Sequence, residues 1–360
     1  MTKRLVVCCD GTWRRRDQLH PTNVAKVLAA VAPDDGQGSV QISHYEPGVG
    51  SAWGERIRGG AFGWGLSRGV SRAYEWLARN YEPGDEVFFF GFSRGAFMAR
   101  STAGLIRNCG ILRAPTRDLI KKAYAIYRSD EEPDGPNATA FRTTHSHPLA
   151  TIRFIGVWDT VGSLGIPWSF NPIITWINRR WRFHDTSLSS YVEHAYQALA
   201  VDEVRKQFAP TLWKAPADSG RDQKVEQVWF AGAHSDVGGG LAESGLSDLA
   251  LLWIAERAED AGLAFTAESL TPGQDGHGTG MPAPVRPDPM GRMHARPSGL
   301  FRFLPKGVRA IGAAERGHEA AARSAVIRTE RDPAYRPAGL LEALGRQIRQ
   351  VPLPRRAREG

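Results

Sequence analysis

The chain has 360 residues, enough for one large α/β domain with insertions, and its 42% hydrophobic content is ordinary for a globular protein. No apolar run is long enough for a membrane-spanning helix. The net charge of +8 sits at one end: residues 291–360 carry 15 Lys and Arg against 6 Asp and Glu, which leaves −1 over the first 290 residues. The body is therefore neutral, and no nucleic-acid partner is expected.

Leu5 to Cys9 reads as a first strand and is too short for a signal-peptide core. A cytoplasmic location is expected, with export by a specialised secretion system left open. Cys8 and Cys9 point to opposite faces of that strand. With Cys109 they have no metal-type spacing, so buried reduced thiols are expected. Thr22 to Val31 has the pattern of a helix capped by Thr22 and stopped by Pro33. Val40 to Tyr45 alternates as a strand, 51–65 reads as a Gly- and Trp-rich loop, and Leu66 to Tyr81 is helical. Val87 to Phe90 is a buried strand that runs into Gly91-Phe92-Ser93-Arg94-Gly95 and then a helix. Thr151 to Trp158 is a further strand, ending at Asp159. Residues 163–224 hold Trp168, Phe170, Trp176, Trp181 and Phe183 and break the alternation, as an inserted cap would. Val225 to Ala231 is the last clear strand and leads to Gly232-Ala-His234-Ser-Asp236-Val-Gly-Gly-Gly240. Leu246 to Ala261 is helical.

Alternating strands and helices predict an α/β-hydrolase-like fold, a mostly parallel sheet with helices on both faces. The expected layout is a hydrolase domain over residues 1–262 with a cap-like insertion at about 163–224. A Gly/Pro-rich loop follows at 263–300, and a basic C-terminal segment at 301–360. Every special cluster follows the carboxyl end of a predicted strand, where parallel sheets gather their chemistry.

The Gly91-to-Gly95 sequence is G-x-S-x-G between a strand and a helix. In that setting the turn lifts a serine clear of the sheet, and its tight packing demands small residues two before and two after. Ser93 is the expected nucleophile, supported by Gly91 and Gly95. The bland alternative is a turn whose serine merely caps the helix. A serine needs a base and an acid that orients the base, in the chain order Ser, acid, His. His234 fits the base. Asp159 is favoured as the acid, and Asp202 is the alternative, preferred if Gln197 to Val201 forms another strand. Asp236 is too near His234 for that role and is expected to brace the glycine turn. The oxyanion hole is expected from the backbone of Arg94 and of Gly11 or Thr12, in the loop that begins at Asp10. No cofactor or metal is expected, since a metal on Asp10, Asp159, His234 and Asp236 would leave the serine turn unexplained.

Five ordered motifs, Cys9-Asp-Gly-Thr-Trp13, Gly91-Phe-Ser-Arg-Gly-Ala96, Val157-Trp-Asp-Thr-Val-Gly162, Ala200-Val-Asp-Glu-Val-Arg205 and Ala231-Gly-Ala-His-Ser-Asp-Val-Gly-Gly-Gly240, carry a family resemblance that covers roughly residues 3–262. Together they resemble a bacterial and fungal family of α/β-hydrolases long catalogued as a conserved domain of unknown function. Some proteins resembling it are phospholipase effectors of the type VI secretion system, the first Tle class. The resemblance implies a serine esterase or phospholipase with Ser93, Asp159 and His234 as its triad. The chain is shorter than those effectors, and the Asn that many members carry after the first Trp is Arg14 here.

The resulting expectation is a serine-dependent carboxylic ester hydrolase, in its narrower form a phospholipase, acting on an ester or lipid through an acyl-enzyme. Its basic C-terminal segment would touch anionic membrane from the side. The competing readings are an acyltransferase or peptidase on the same fold, and a non-catalytic scaffold that binds membrane or nucleic acid.

Overall fold

The computed structural model describes residues 2–11, 14, 16–48, 61–148, 150–161, 188–214, 223–273, 283–294, 306–314 and 318–358, with only the backbone at 61–64 and 207. Among them, strands β1 (Lys3–Cys9), β2 (Val40–Glu46), β3 (Glu86–Phe92), β4 (Ile152–Trp158), β5 (Val192–Ala200), β6 (Lys224–Phe230), β7 (Glu319–Ala322) and β8 (Gln350–Val351) form one sheet. Its order is β2-β1-β3-β4-β5-β6-β7-β8, and each neighbouring pair is parallel. The order reverses between β1 and β3, and such a switch point opens a crevice at the carboxyl ends of the strands. Backbone bonds continue just past those ends: Ser93 N–H donates to Trp158 O at 3.0 Å, and Asp159 N–H to Ala198 O at 2.7 Å.

Strand alternation sorts the core into layers. Leu5, Val7 and Cys9 pack with Val70, Tyr74 and Leu77 of α2 (Ala61–Asn80), Met98 and Leu105 of α3 (Arg94–Cys109), and Ile120 of α4 (Arg117–Tyr127). Val6 and Cys8 face the other way, toward Val24 and Val27 of α1 (Asn23–Ala30) and Leu249, Leu252 and Trp253 of α7 (Gly245–Asp260). Helix α5 (Pro136–His145) adds Phe141 to the first layer. All three cysteines are free and buried, and burial pushes the Cys109 thiol up to about 12. Thr22 caps α1 as expected: its hydroxyl oxygen accepts from Ala25 N–H at 3.2 Å and donates to Asp10 Oδ2 at 2.7 Å. Among the described residues no helix is long and apolar enough to cross a membrane.

Two expectations about layout need correction. Residues 192–200, placed inside a cap by their composition, form β5 at the centre of the sheet. Glu193, His194 and Gln197 interrupt the apolar pattern there. Gln197 is nonetheless fully buried, because its carbonyl accepts from Thr160 Oγ1 at 3.0 Å and its amide donates to Thr211 O at 3.3 Å. Of the remaining residues expected in the cap, 163–187 and 215–222 lie outside the described residues.

The hydrolase sheet also does not end at residue 262. Strand β7 pairs with β6 and β8 with β7. Leu199, Val201 and Trp229 are buried beneath Ile311, Val326 of α8 (Arg323–Arg331), Tyr335, and Leu340 of α9 (Ala338–Gly345). The C-terminal arginines pair with acidic groups of the body, Arg349 with Glu226 at 2.8 Å, Arg356 with Glu259 at 2.7 Å and Arg355 with Asp260 at 3.2 Å. Among the described residues, these arginines are thus built into the fold.

Candidate active site

The site begins at the end of β3, where four consecutive buried residues, Val87 to Phe90, anchor the strand. Ser93 follows with φ 58° and ψ −118°, a backbone conformation that a side chain disfavours by about 1–3 kcal/mol. The turn closes so tightly that a Cβ on Gly91 would fall 2.6 Å from Ala96 Cα, and one on Gly95 would fall 2.1 Å from Cys9 O. Ser93 stands at the start of α3 but makes no side-chain cap hydrogen bond. Helix capping therefore does not account for a serine here, and the stored strain is of the kind that functional sites carry.

Parallel pairing carries β4 and β6 to the same edge. Asp159 follows β4 and also has a positive φ, 37°. His234 opens α6 (His234–Gly238) beyond β6, and its Nδ1 lies 2.6 Å from Asp159 Oδ2. Asp159 Oδ1 accepts Ala200 N–H at 3.1 Å. Arg309 then grips the carboxylate with both arms, Nη1 to Oδ1 at 3.0 Å and Nη2 to Oδ2 at 3.1 Å. Asp159, His234 and Arg309 are all buried.

Burial alone would push the Asp159 carboxyl up, but the Arg309 charge and the His234 hydrogen bond outweigh it and hold the group below the usual carboxylate range. Burial lowers the His234 pKa, and the Asp159 carboxylate offsets this only in part. The ionised carboxylate keeps the imidazole proton on Nδ1, so Nε2 is the basic nitrogen. Two rings hold the imidazole: Phe92 at 4.7 Å between centroids and Phe208, edge-on, at 5.0 Å. Glu203 Oε2 accepts the His234 backbone N–H at 3.3 Å and is itself gripped by Arg205 at 2.7 Å.

Asp202, the alternative acid, is committed elsewhere. Its Oδ2 accepts Gly232 N–H at 2.7 Å and the Tyr335 hydroxyl at 2.8 Å. The strand that would have favoured it exists as β5, yet the carboxylate turns toward the C-terminal helices. Asp236 braces the turn as expected, accepting Ala233 N–H at 2.9 Å, and also binds His294 Nδ1 at 2.8 Å. Asp10 organises the first loop through Thr22, Tyr45 at 2.8 Å and Gly11 N–H at 2.7 Å. That last bond corrects one expectation: the Gly11 amide is occupied by Asp10 and is not aimed at a substrate oxygen. Thr12 lies outside the described residues. Arg94 is the first residue of α3, where amide groups point out of the helix start.

Three contributors escape a reading of the sequence. Glu203 adjoins Asp202, the alternative acid, and carries no local signal of its own. Phe208 lies in a short segment without periodicity. Arg309 is one of 15 basic residues near the C-terminus and carries no local signal.

A parallel sheet with this strand-turn-helix and this histidine–carboxylate pair at its carboxyl edge defines an α/β-hydrolase-like protein. Residues 3–257 match the model of the catalytic domain of Tle1-like phospholipase effectors of the type VI secretion system, and the chain belongs to that family. An uncharacterized protein of Saccharomyces cerevisiae is 31% identical over 230 residues, which is 57% of this chain and 32% of the yeast protein. Among solved structures, the Tle1 effector bound to the VgrG spike of the type VI secretion system is similar with a TM-score of 0.42 and 20% identity, over 67% of this chain and 52% of that one. A lipase/esterase from Lactobacillus plantarum gives a TM-score of 0.34 and 12% identity, over 73% of this chain and 88% of that one. The chain thus spans about a third of the yeast relative and about half of the effector.

Proposed function

We propose that this protein is a serine-dependent carboxylic ester hydrolase whose substrates are glycerophospholipids. The observation that carries the reading is the buried Asp159–His234 pair on the same sheet edge as Ser93, whose strained backbone no capping bond explains. In this mechanism Ser93 Oγ attacks the acyl carbon while His234 Nε2 takes its proton. Asp159 stabilises the imidazolium that forms. The Arg94 amide at the start of the helix donates to the oxyanion, a type of contact worth about 3–4 kcal/mol per donor. His234 then gives the proton to the departing alcohol, and water, activated by the same nitrogen, releases the fatty acid from the acyl-enzyme. Membership of a phospholipase effector family supports the lipid as substrate.

The experiment pairs a fluorophosphonate probe with fatty-acid release from phosphatidylglycerol vesicles. Wild type should bind one probe per chain and release fatty acid, and Ser93→Ala should do neither. Labelling of the alanine variant, or labelling of wild type without lipolysis of any phospholipid, would count against the reading.

A further inference from the structure

A carboxylate that only orients a histidine needs the imidazole and one or two backbone amides. Asp159 has these and, in addition, a buried guanidinium bound to both oxygens. The third Arg309 contact is equally specific: Nη2 donates to Phe208 O at 2.7 Å, and the Phe208 ring is the one set edge-on to His234. One side chain therefore fixes both the acid and a wall of the imidazole pocket. Arg309 is delivered by an antiparallel contact in which Lys306 bridges Arg205 and Gly307 N–H donates to Val204 O at 2.8 Å. It is locked from behind by α9, where a Cβ on Gly339 would fall 2.3 Å from Arg309 O. Lys306, Gly307, Arg309 and Gly339 all lie beyond residue 257, where the match to the family's catalytic domain ends.

We propose that Arg309 is a positioning residue of this site, holding the Asp159 carboxylate in the plane that meets His234 Nδ1, so that the catalytic unit is complete only with the C-terminal strands and helices. The inference rests on the triad assigned under the proposed function. Two consequences separate it from a merely structural arginine. The planar fork fixes carboxylate orientation in a way a lysine cannot copy, so a charge-preserving change should still cost turnover. The guanidinium charge also opposes protonation of His234. The other charged groups facing that imidazole are Asp159, Glu203 and Arg205, with Asp236 on its own helix tied to His294.

The test uses the full chain and a soluble ester, with kcat and KM measured across pH and probe labelling to count active sites. Arg309→Gln should lower kcat about 100-fold with little change in KM, the penalty typical of a misplaced catalytic group. Its acidic limb of kcat/KM should move up by about one pH unit, since a nearby cation has been removed. Arg309→Lys should keep the wild-type limb and recover only part of kcat. A structural role would reduce the number of labelled sites and leave the limb of the surviving sites in place. If Arg309→Gln does not fold, Arg309→Lys decides alone, and full wild-type kcat there overturns the proposal. So does an unmoved limb in a folded Arg309→Gln. If wild type itself takes no probe, the triad reading fails first and this inference falls with it. A labelled wild type with indifferent Arg309 variants removes the inference only.

Discussion

Phe92 sets its ring 4.7 Å from the His234 imidazole, and the same ring closes against Gly238, where a Cβ would fall 2.0 Å from Phe92 Cε2. The residue before Ser93 is thereby clamped between the histidine and the helix that carries it. Gly238→Ala must displace the ring that packs on the imidazole, and overpacking of this kind costs about 1–3 kcal/mol. The expected outcome is a folded protein with a lower Tm and a fall in kcat larger than any change in KM. Unchanged turnover would show that Phe92 does not position His234.

Ser93 offers a test in which activity and stability move independently. Its φ of 58° suits glycine, and Ala would keep the strain while losing the hydroxyl. Ser93→Gly and Ser93→Ala should both lose hydrolysis by several powers of ten. The glycine variant should be the more stable of the two by about 1 kcal/mol. Thermal unfolding of the pair measures this directly, and equal Tm values would mean that the turn relaxes around alanine.

Asp159 and Asp202 stand at the ends of adjacent strands, and only their partners separate them. Asp159→Asn should reduce kcat by about 10⁴-fold. It also leaves the buried Arg309 charge facing a neutral amide, a loss of about 3–5 kcal/mol. Asp202→Asn should keep kcat within a few fold and lower Tm, because it weakens bonds to Gly232 and Tyr335. A catalytic collapse in the Asp202 variant would contradict the assignment.

What could be read from the chain follows the range of the interaction. The turn at Ser93 is legible because an apolar strand and two glycines at fixed offsets are a local demand of tight packing. Asp159 and His234 are legible because parallel sheets place strand ends side by side. Strand β5 hides behind buried polar residues whose partners come from distant segments, Gln197 with Thr160 and Thr211 among them. Strands β7 and β8 are too short to leave a period. Arg309 meets Asp159 across 150 residues, and no local pattern encodes that contact.

The pH dependence has a definite sign. Burial lowers the His234 pKa below its ordinary 6.5, so the base should stay neutral and active into mildly acidic solution. Stability should move the other way. As pH falls below about 6.5 the unfolded chain takes up a proton at His234 before the native state does, and stability declines. A second loss should begin below about pH 4, because Asp159 is held ionised only in the native state. Tm measured against pH should show both stages, and His234→Gln should weaken the first, to which His194 and His147, also lowered by burial, contribute. A wild-type Tm that is flat between pH 7 and 5 would contradict the burial of a neutral imidazole.

Removal of everything after residue 262 tests how far the catalytic body extends. Composition alone suggests a basic appendage, so that truncation would spare soluble-ester hydrolysis and weaken only action on anionic vesicles. The structure predicts otherwise. Truncation strips β7 from β6, uncovers Trp229 and Leu199, and takes Arg309 from Asp159. Exposing two large core side chains forfeits about 1.5–3 kcal/mol each, before the loss of strand pairing and of the buried ion pair is counted. That total is comparable to the whole stability of many domains, about 5–15 kcal/mol. The truncated chain should therefore lose soluble-ester and vesicle hydrolysis together and aggregate on expression. A soluble fragment with wild-type activity on the small ester would show that β7, β8 and Arg309 are dispensable, and with them the view that the catalytic unit runs to the end of the sheet.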